Sequence, residues 1–159
     1  MFREMRRKKQ ALCMAECESI LEKATSGVLA TAGECGYPYA VPLSFRYDQA
    51  NQKLYFHCAK SGHKLDAIQN NSKVSFCVID CDDVIPEKYT THFKSVIVFG
   101  TIRIMDEEAD ITDAIEKLAL KYAPNDTKAN RRQYLAAYAA QMYMLELTAE
   151  HITGKASLR

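Results

Sequence analysis

Three features that often reveal a protein's class are missing from this sequence: an excess of charge of one sign, a long apolar run, and tryptophan. The 159 residues include 21 Lys and Arg against 20 Asp and Glu. The resulting net charge of +1 argues against a nucleic-acid-binding domain. No apolar run reaches the roughly 18 residues of a transmembrane helix, so no membrane span is predicted. Apolar residues still make up 48% of the chain, which excludes disorder and predicts a single domain over residues 1–159.

The N-terminus is basic but lacks the apolar core of a secretory signal. Residues 1–9 read MFREMRRKK and lead into a glutamate-rich stretch, so we expect a cytoplasmic protein with reduced thiols. The basic segment is either a solvated tail or an arm that packs on a partner. Cys13 and Cys17 are four residues apart, as are Cys77 and Cys81, so each pair could share a face. Zinc-binding turns usually space their cysteines by two residues, so no metal is predicted.

The first half of the chain alternates helical and strand patterns joined by short polar turns. A helical pattern covers about residues 10–25, and strand patterns cover residues 27–32, 37–47 and 53–58. The turn at residues 33–36 makes the first two strands a hairpin. Proline cannot donate a ladder hydrogen bond, so Pro38 and Pro42 predict a bulge or an edge in the second strand.

The second half adds three strands and three helices. A short helix over residues 59–71 precedes strands at 73–81 and 94–105, which a polar loop through Pro86 separates. Two helices, at about 107–122 and 128–140, precede a last strand at 141–152. Hairpin connections do not give the alternation of a parallel sheet. The sequence therefore predicts a mainly β fold, a six-stranded antiparallel barrel with peripheral helices, whose edge could be shared with a second copy.

The segment YFHCAKSGHKLD, residues 55–66, carries most of the candidate chemistry. It runs from a buried strand through a turn into a helix, whose N-terminus offers free N–H groups and a positive dipole end to an anion. Ser61 can donate or cap, Gly62 allows close backbone approach, and Lys64 adds a charge. The spacing lacks the glycine-rich and Walker patterns. The residues alone therefore leave two interpretations: a phosphate site, or a capped helix with an exposed lysine.

Five segments in order resemble the FMN-binding split-barrel superfamily. They are Gly27–Thr31, Tyr37–Phe45, Leu54–Asp66, Phe93–Thr101 and Ile152–Ala156. Within it, the chain looks most like pyridoxamine 5'-phosphate oxidase-like proteins of the 5-nitroimidazole-resistance (Nim) type. The resemblance implies a six-stranded split barrel and a homodimer with FMN at the interface, contacted by both protomers.

The resemblance also implies which residues contact the cofactor. Ser61, His63 and Lys64 would hold the phosphate, where relatives often carry Arg-Lys or Arg-x-Arg. Because tryptophan is absent, Tyr39 becomes a candidate for stacking on the ring. The other implied contacts come from four strand segments: Val41, Pro42, Leu43 and Ser44 along the ring; His57, Cys58 and Ala59 beside the flavin; Lys94, Ser95 and Val96 near the ring and ribityl chain; and Gly154 and Lys155 in a C-terminal turn.

His57 is the candidate catalytic residue. An imidazole titrates near neutral pH and could protonate a reduced substrate; alternatively, His57 only hydrogen-bonds the cofactor or a carbonyl. Cys58 beside it is expected to be a small buried side chain rather than a nucleophile.

The implied function is an FMN-dependent oxidoreductase that reduces nitroaromatic or similar small electrophiles. A reduced nicotinamide donor would dock transiently, because no dinucleotide motif marks a site for it. Two alternatives stay open. One is a non-enzymatic flavin-binding or redox-sensing module, and the other is a haem-binding split-barrel protein with His57, His63 or His151 as axial ligand.

Overall fold

The described part of the chain folds into seven antiparallel strands and four α-helices. The computed structural model describes residues 1–139 and 141–157, apart from the side chains of residues 35, 138 and 139. The strands are β1 Ser26–Ala32, β2 Pro38–Ser44, β3 Arg46–Asp48, β4 Lys53–Ala59, β5 Lys73–Ile85, β6 Thr90–Ile104 and β7 Met142–Ser157. The helices are α1 Met14–Lys23, α2 His63–Asn70, α3 Glu108–Tyr122 and α4 Lys128–Ala139.

The sheet closes on itself through one bent segment of chain. Its strand order is β2-β1-β5-β6-β7-β4-β3, so β2 and β3 lie at opposite ends of the order. They are separated in sequence only by Phe45, and the same segment therefore supplies both ends of the sheet. The prediction of a mainly β, antiparallel barrel with peripheral helices is confirmed. Within the described residues there are seven strands rather than the predicted six, because the strand predicted at 37–47 is interrupted.

The interruption at Phe45 has a side-chain cause. The Phe45 N–H donates to the hydroxyl oxygen of Tyr122 at 2.9 Å, and that hydroxyl lies 3.2 Å from the Phe45 carbonyl oxygen. The same hydroxyl contacts the carbonyl of Thr25. Tyr122 ends α3, so a helix side chain takes the place of ladder partners at this residue. This contact joins α3 to the point where the chain passes from β2 to β3.

Apolar side chains fill the barrel from alternating strand positions. Phe45, Phe56 and Phe76 are fully buried, and the Phe76 ring meets the other two edge-on at centroid distances of 4.8 and 5.0 Å. Helices α1 and α2 add their apolar faces to this core. A second cluster lies outside the barrel wall, where α3 packs on β4 and β7; its buried members are Tyr55, Met105, Ala114, Ile115, Leu118 and Met144.

The region between residues 80 and 93 differs from the prediction. Instead of a polar loop through Pro86, β5 continues to Ile85 and pairs with β6 from its first residue, Thr90. A bulge between Ile79 and Cys81 marks where the hairpin leaves the barrel wall. The aspartates at 80, 82 and 83 favour a loop by composition, but all three are exposed in the two-stranded arm, which tolerates them there.

Helix and strand ends also differ from the prediction. Helix α1 starts only at Met14, with the exposed Cys13 as its N-cap, and Cys17 one turn later is buried. Helix α2 starts at His63 rather than near residue 59. The last strand runs on from the predicted end at 152 to Ser157. Helix α4 agrees with the prediction up to residue 139, and residue 140 lies outside the described residues.

Candidate functional site

The N-terminus of α2 is an uncapped helix start. Gly62, its N-cap, has φ +123° and, as a glycine, has no side chain that could cap the helix. The Gly62 carbonyl accepts hydrogen bonds from the N–H groups of Leu65 and Asp66. The N–H groups of His63 and Lys64 come before the first intrahelical hydrogen bond, so the helix itself offers them no acceptor. A Cβ at Gly62 would meet nothing within 4 Å, so glycine is required here by φ and not by crowding. The open space, the free N–H groups and the helix dipole suit a phosphate.

Two predicted contacts meet at this helix start. The rings of Tyr39, on β2, and His63 lie with their centroids 4.1 Å apart and an angle of 32° between planes. Burial raises the pKa of the Cys58 thiol, while the positive charge of Lys64 acts in the opposite direction. Lys64 therefore lies close enough to act on the end of β4. A buried thiol with a raised pKa is a poor nucleophile.

His57 lies on the opposite face of β4 from Cys58. Strand alternation buries Cys58 in the barrel core and leaves His57 exposed on the outer face, where Met144 of β7 is its ladder partner. His57 and Ser44 form part of the wall of a cavity of about 270 Å³ between the barrel and the helices α3 and α4. We call this the helix cavity; its other lining residues are Ile115, Leu118, Ala119, Tyr122, Leu135, Met142 and Met144.

The predicted ring contacts on β2 divide between the two faces of the strand. Tyr39, Val41 and Leu43 are half-buried, and the last two pack against the barrel core. Pro42 lies on the outer face with Ser44, by strand alternation. Backbone groups of this strand are accessible from the outer side, where Ala59 at the end of β4 is also exposed.

The remaining predicted contacts form a second group at the other end of β7. Ser95 pairs with Lys155 and Val96 with Gly154, whereas Ala59 pairs with Met142 at the start of β7. Gly154 and Lys155 therefore lie near the C-terminal end of β7, whereas the end of β4 that leads to α2 pairs with the N-terminal end of β7.

Within the second group, three of the five residues face α1 rather than the outer surface. Val96 is fully buried, and Lys94 lies 3.8 Å from Asp80 in an ion pair. A Cβ on Gly154 would lie 2.5 Å from the Cys17 sulfur, so α1 covers this position. Lys155 lies on the other face, with its ammonium 5.1 Å from the centre of the Phe93 ring. Gly154 and Lys155 are in the body of β7 and not in the predicted turn.

Sequence reasoning missed the helical wall of the helix cavity. Its α3 residues follow the helical spacing of an apolar stripe, which predicts burial but not the cavity. Met142 and Met144 reach His57 only through the β4–β7 ladder, a pairing of segments distant in sequence. Over residues 1–139 and 141–157, no group of three or more His, Cys, Asp and Glu side chains is arranged to hold a metal ion. No helix in the same ranges is long and apolar enough to cross a membrane.

Solved structures of other proteins share this fold. The fold is similar to that of a candidate 5-nitroimidazole antibiotic resistance protein from Bacteroides thetaiotaomicron, with a TM-score of 0.78 and 19% identity over 92% of this chain and 86% of that one. It is also similar to two proteins from Mycobacterium smegmatis. One is an FAD binding protein, with a TM-score of 0.64 and 22% identity over 92% of this chain and 96% of that one. The other is an FAD and heme binding protein, with a TM-score of 0.74 and 18% identity over 95% of this chain and 74% of that one.

These likenesses support the fold, and sequence supports the family. No curated protein matches the chain in sequence. The sequence profile of the pyridoxamine 5'-phosphate oxidase family matches residues 14–156, which is nearly the whole chain, so the resemblance recognised in the sequence is confirmed. The protein belongs to the pyridoxamine 5'-phosphate oxidase family.

Proposed function

We propose that the protein is a flavin-dependent oxidoreductase that binds FMN and reduces nitroaromatic or similar small electrophiles. The observation that carries the proposal is the uncapped start of α2, with Tyr39 and Lys64 beside it. Structural relatives that are named for flavin binding or nitroimidazole resistance support it. The terminal phosphate of FMN carries the charge that free N–H groups and a lysine favour.

In this proposal, Ser61, His63 and Lys64 would hold the phosphate. Ala59 would contact the ribityl chain, and Ser44 and His57 would contact the ring from the outer surface. A bound flavin would supply hydride or electrons to the acceptor. His57, exposed on that surface, donates the proton that the reduced acceptor needs, and a reduced nicotinamide serves as the electron source.

We further propose a homodimer that shares its flavin sites. In this arrangement, the second copy supplies the outward-facing Ser95 and Lys155, which lie at the far end of β7 from the segment that leads into α2. The outer face of the sheet supports this arrangement, because it exposes Val28 on β1 and Ile79 on β5. Large exposed apolar side chains on one face favour association.

The phosphate site is tested by the FMN affinity of Lys64→Ala, with Lys60→Ala as the matched control. Losing a hydrogen bond to a charged group should weaken FMN binding by about ten- to a hundredfold. Lys60 places its ammonium 5.3 Å from the centre of the Tyr143 ring, so its removal should leave the affinity nearly unchanged. Equal affinities of Lys64→Ala and the unmodified protein would count against this site. Titration with FAD in parallel identifies the preferred flavin.

The chemistry is tested with His57→Ala, a reduced nicotinamide and a nitroaromatic acceptor. We expect turnover to fall while FMN stays bound. Full turnover with bound FMN would exclude the proton-donor role, and no turnover in the unmodified flavoprotein would favour a flavin-binding module without catalysis. A Soret band in the purified protein would favour the haem alternative. A monomer by light scattering, with FMN bound, would exclude the shared site.

A further inference from the structure

We infer that the helix cavity binds an uncharged aromatic ring with one polar substituent, which in the proposed reaction is the electron acceptor. The naming of this ligand as the acceptor rests on the proposed function, whereas the binding of the ring rests on the cavity alone. A volume of about 270 Å³ is at the small end for ligand pockets. It can hold one compact ring system, but not a flavin with its phosphate chain.

The lining of the helix cavity disfavours a charged ligand. Among its described lining residues, none carries a carboxylate, an ammonium or a guanidinium group. Tyr122 contributes its ring, because its hydroxyl is held by backbone groups at Phe45. An ionised ligand would lose hydration here and meet no permanently charged group of opposite sign, which is unfavourable. The cavity therefore selects against charge.

Two methionines favour an aromatic ligand. Met142 and Met144 line the cavity from β7, and thioether sulfur makes favourable contacts with aromatic rings. Both side chains are flexible, so they can adapt to ring edges of different shape. Ile115 and Leu118 of α3, the helix that covers β4 and β7, add to the apolar lining.

The polar groups of the cavity come from one wall. Ser44 and His57 belong to the barrel strands, whereas the α3 and α4 residues of the lining are apolar apart from the occupied Tyr122 hydroxyl. A ring entering between the helices and the barrel would turn its polar substituent toward His57 and Ser44. This orientation places the reducible group at the surface where the proposed flavin ring lies.

The inference is tested by NMR of the protein labelled with ¹³C at its methionine methyl groups, in flavin-free and FMN-loaded forms. Nitrobenzene is the probe, and 4-nitrobenzoate is its charged analogue. Nitrobenzene should shift the Met142 and Met144 methyl signals in a saturable manner and leave that of the exposed Met14 on α1 unchanged. 4-Nitrobenzoate should bind at least about tenfold more weakly.

Two variants fill the cavity, and one matched variant does not. Ala119→Phe, from α3, and Leu135→Trp, from α4, should each weaken nitrobenzene binding by about tenfold or more. Leu120→Phe adds an aromatic ring at the next, exposed position of α3 and should change binding less than about twofold. Having one filling variant on each helix keeps the test valid if one of them does not fold.

The outcomes separate this inference from the proposed function. Unshifted Met142 and Met144 signals, or equal binding of nitrobenzene and 4-nitrobenzoate, would overturn the inference about the helix cavity. Displacement of nitrobenzene by FMN would also overturn it, because the cavity would then belong to the flavin ring. If nitrobenzene binds as expected while FMN does not bind at all, the helix cavity stands as an aromatic site and the proposed flavin chemistry fails.

Discussion

Replacing Gly154 by alanine should force α1 away from the barrel. The new methyl group would lie 2.5 Å from the sulfur of Cys17 and 2.9 Å from the nearest Leu12 methyl carbon. The chain has little freedom to move away, because the Leu12 N–H donates to the Gly154 carbonyl at 3.0 Å. Overpacking of this kind costs about 1–3 kcal/mol. Replacing glycine by alanine restricts the unfolded chain and offsets about 0.4–1 kcal/mol. The midpoints of these two ranges predict a net loss of about 1.3 kcal/mol in the free energy of unfolding.

The variant Cys17→Ala identifies the contact responsible. Cys17 is 2% exposed, so removing its sulfur alone leaves a small cavity and costs about 1 kcal/mol. In the double variant, the Gly154→Ala methyl group occupies the space left by the sulfur. The double variant should therefore lose about 1 kcal/mol less stability than the sum of the two single-variant losses.

Urea unfolding of the flavin-free single and double variants measures these losses. The m value should stay constant, because the change acts on packing and not on the extent of unfolding. FMN affinity should be unchanged by Gly154→Ala, because this position faces α1 and not the outer surface where the flavin is proposed to bind. An unchanged free energy of unfolding in Gly154→Ala, or a double variant whose loss equals the sum of the single losses, would refute the packing argument.

Contacts made by α3 and β7 support three more predictions. Burial lowers the pKa of Lys121 to about 8. Between pH 8 and about 10.5, Lys121 holds a proton in the unfolded chain but not in the folded protein. As pH rises through this range, the free energy of unfolding of the unmodified protein should therefore increase relative to that of Lys121→Met. A pH-independent difference between the two in urea unfolding would contradict this. Tyr122→Phe removes the acceptor of the Phe45 N–H and should cost about 1–3 kcal/mol, and an unchanged urea midpoint would exclude that contribution. Burial raises the pKa of Glu146 on β7, but hydrogen bonds from Lys53 and Arg103, each at 3.0 Å, outweigh this effect and lower the pKa overall. That contribution is present above a pH of about 4.5 and is lost on acidification, so Glu146→Gln should cost about 1–2 kcal/mol near neutral pH. The acid decline in stability should also be shallower in this variant, and parallel declines would contradict the assignment.

Local patterns predicted the elements well where one face of an element is buried. Val74, Phe76 and Val78 alternate with more exposed residues, and β5 follows this alternation. Beyond Ile79 most β5 residues are exposed, so no alternation of apolar and polar residues signals a strand there. Local composition then favoured a loop.

Contacts that depend on strand pairing could not be predicted from local patterns. The position of Met144 opposite His57 follows from the register of two strands that lie far apart in sequence. The interruption at Phe45 likewise depends on Tyr122, a residue of α3 that no nearby pattern connects to β2. The resemblance to a family indicated a cofactor region, but only the topology shows that its predicted contacts form two groups at opposite ends of β7.

The junction at Phe45 also limits how a second chain can attach. Because β2 and β3 are one covalent segment, the two ends of the strand order cannot separate unless this segment moves. Pro38 and Pro42 pair with β1 through the ladder and have no N–H to offer on the unpaired side of β2. Strand addition at that side would lack hydrogen-bond donors at both positions. Association between copies is therefore directed to the faces of the sheet, and extension into an open chain of edge-paired barrels is disfavoured.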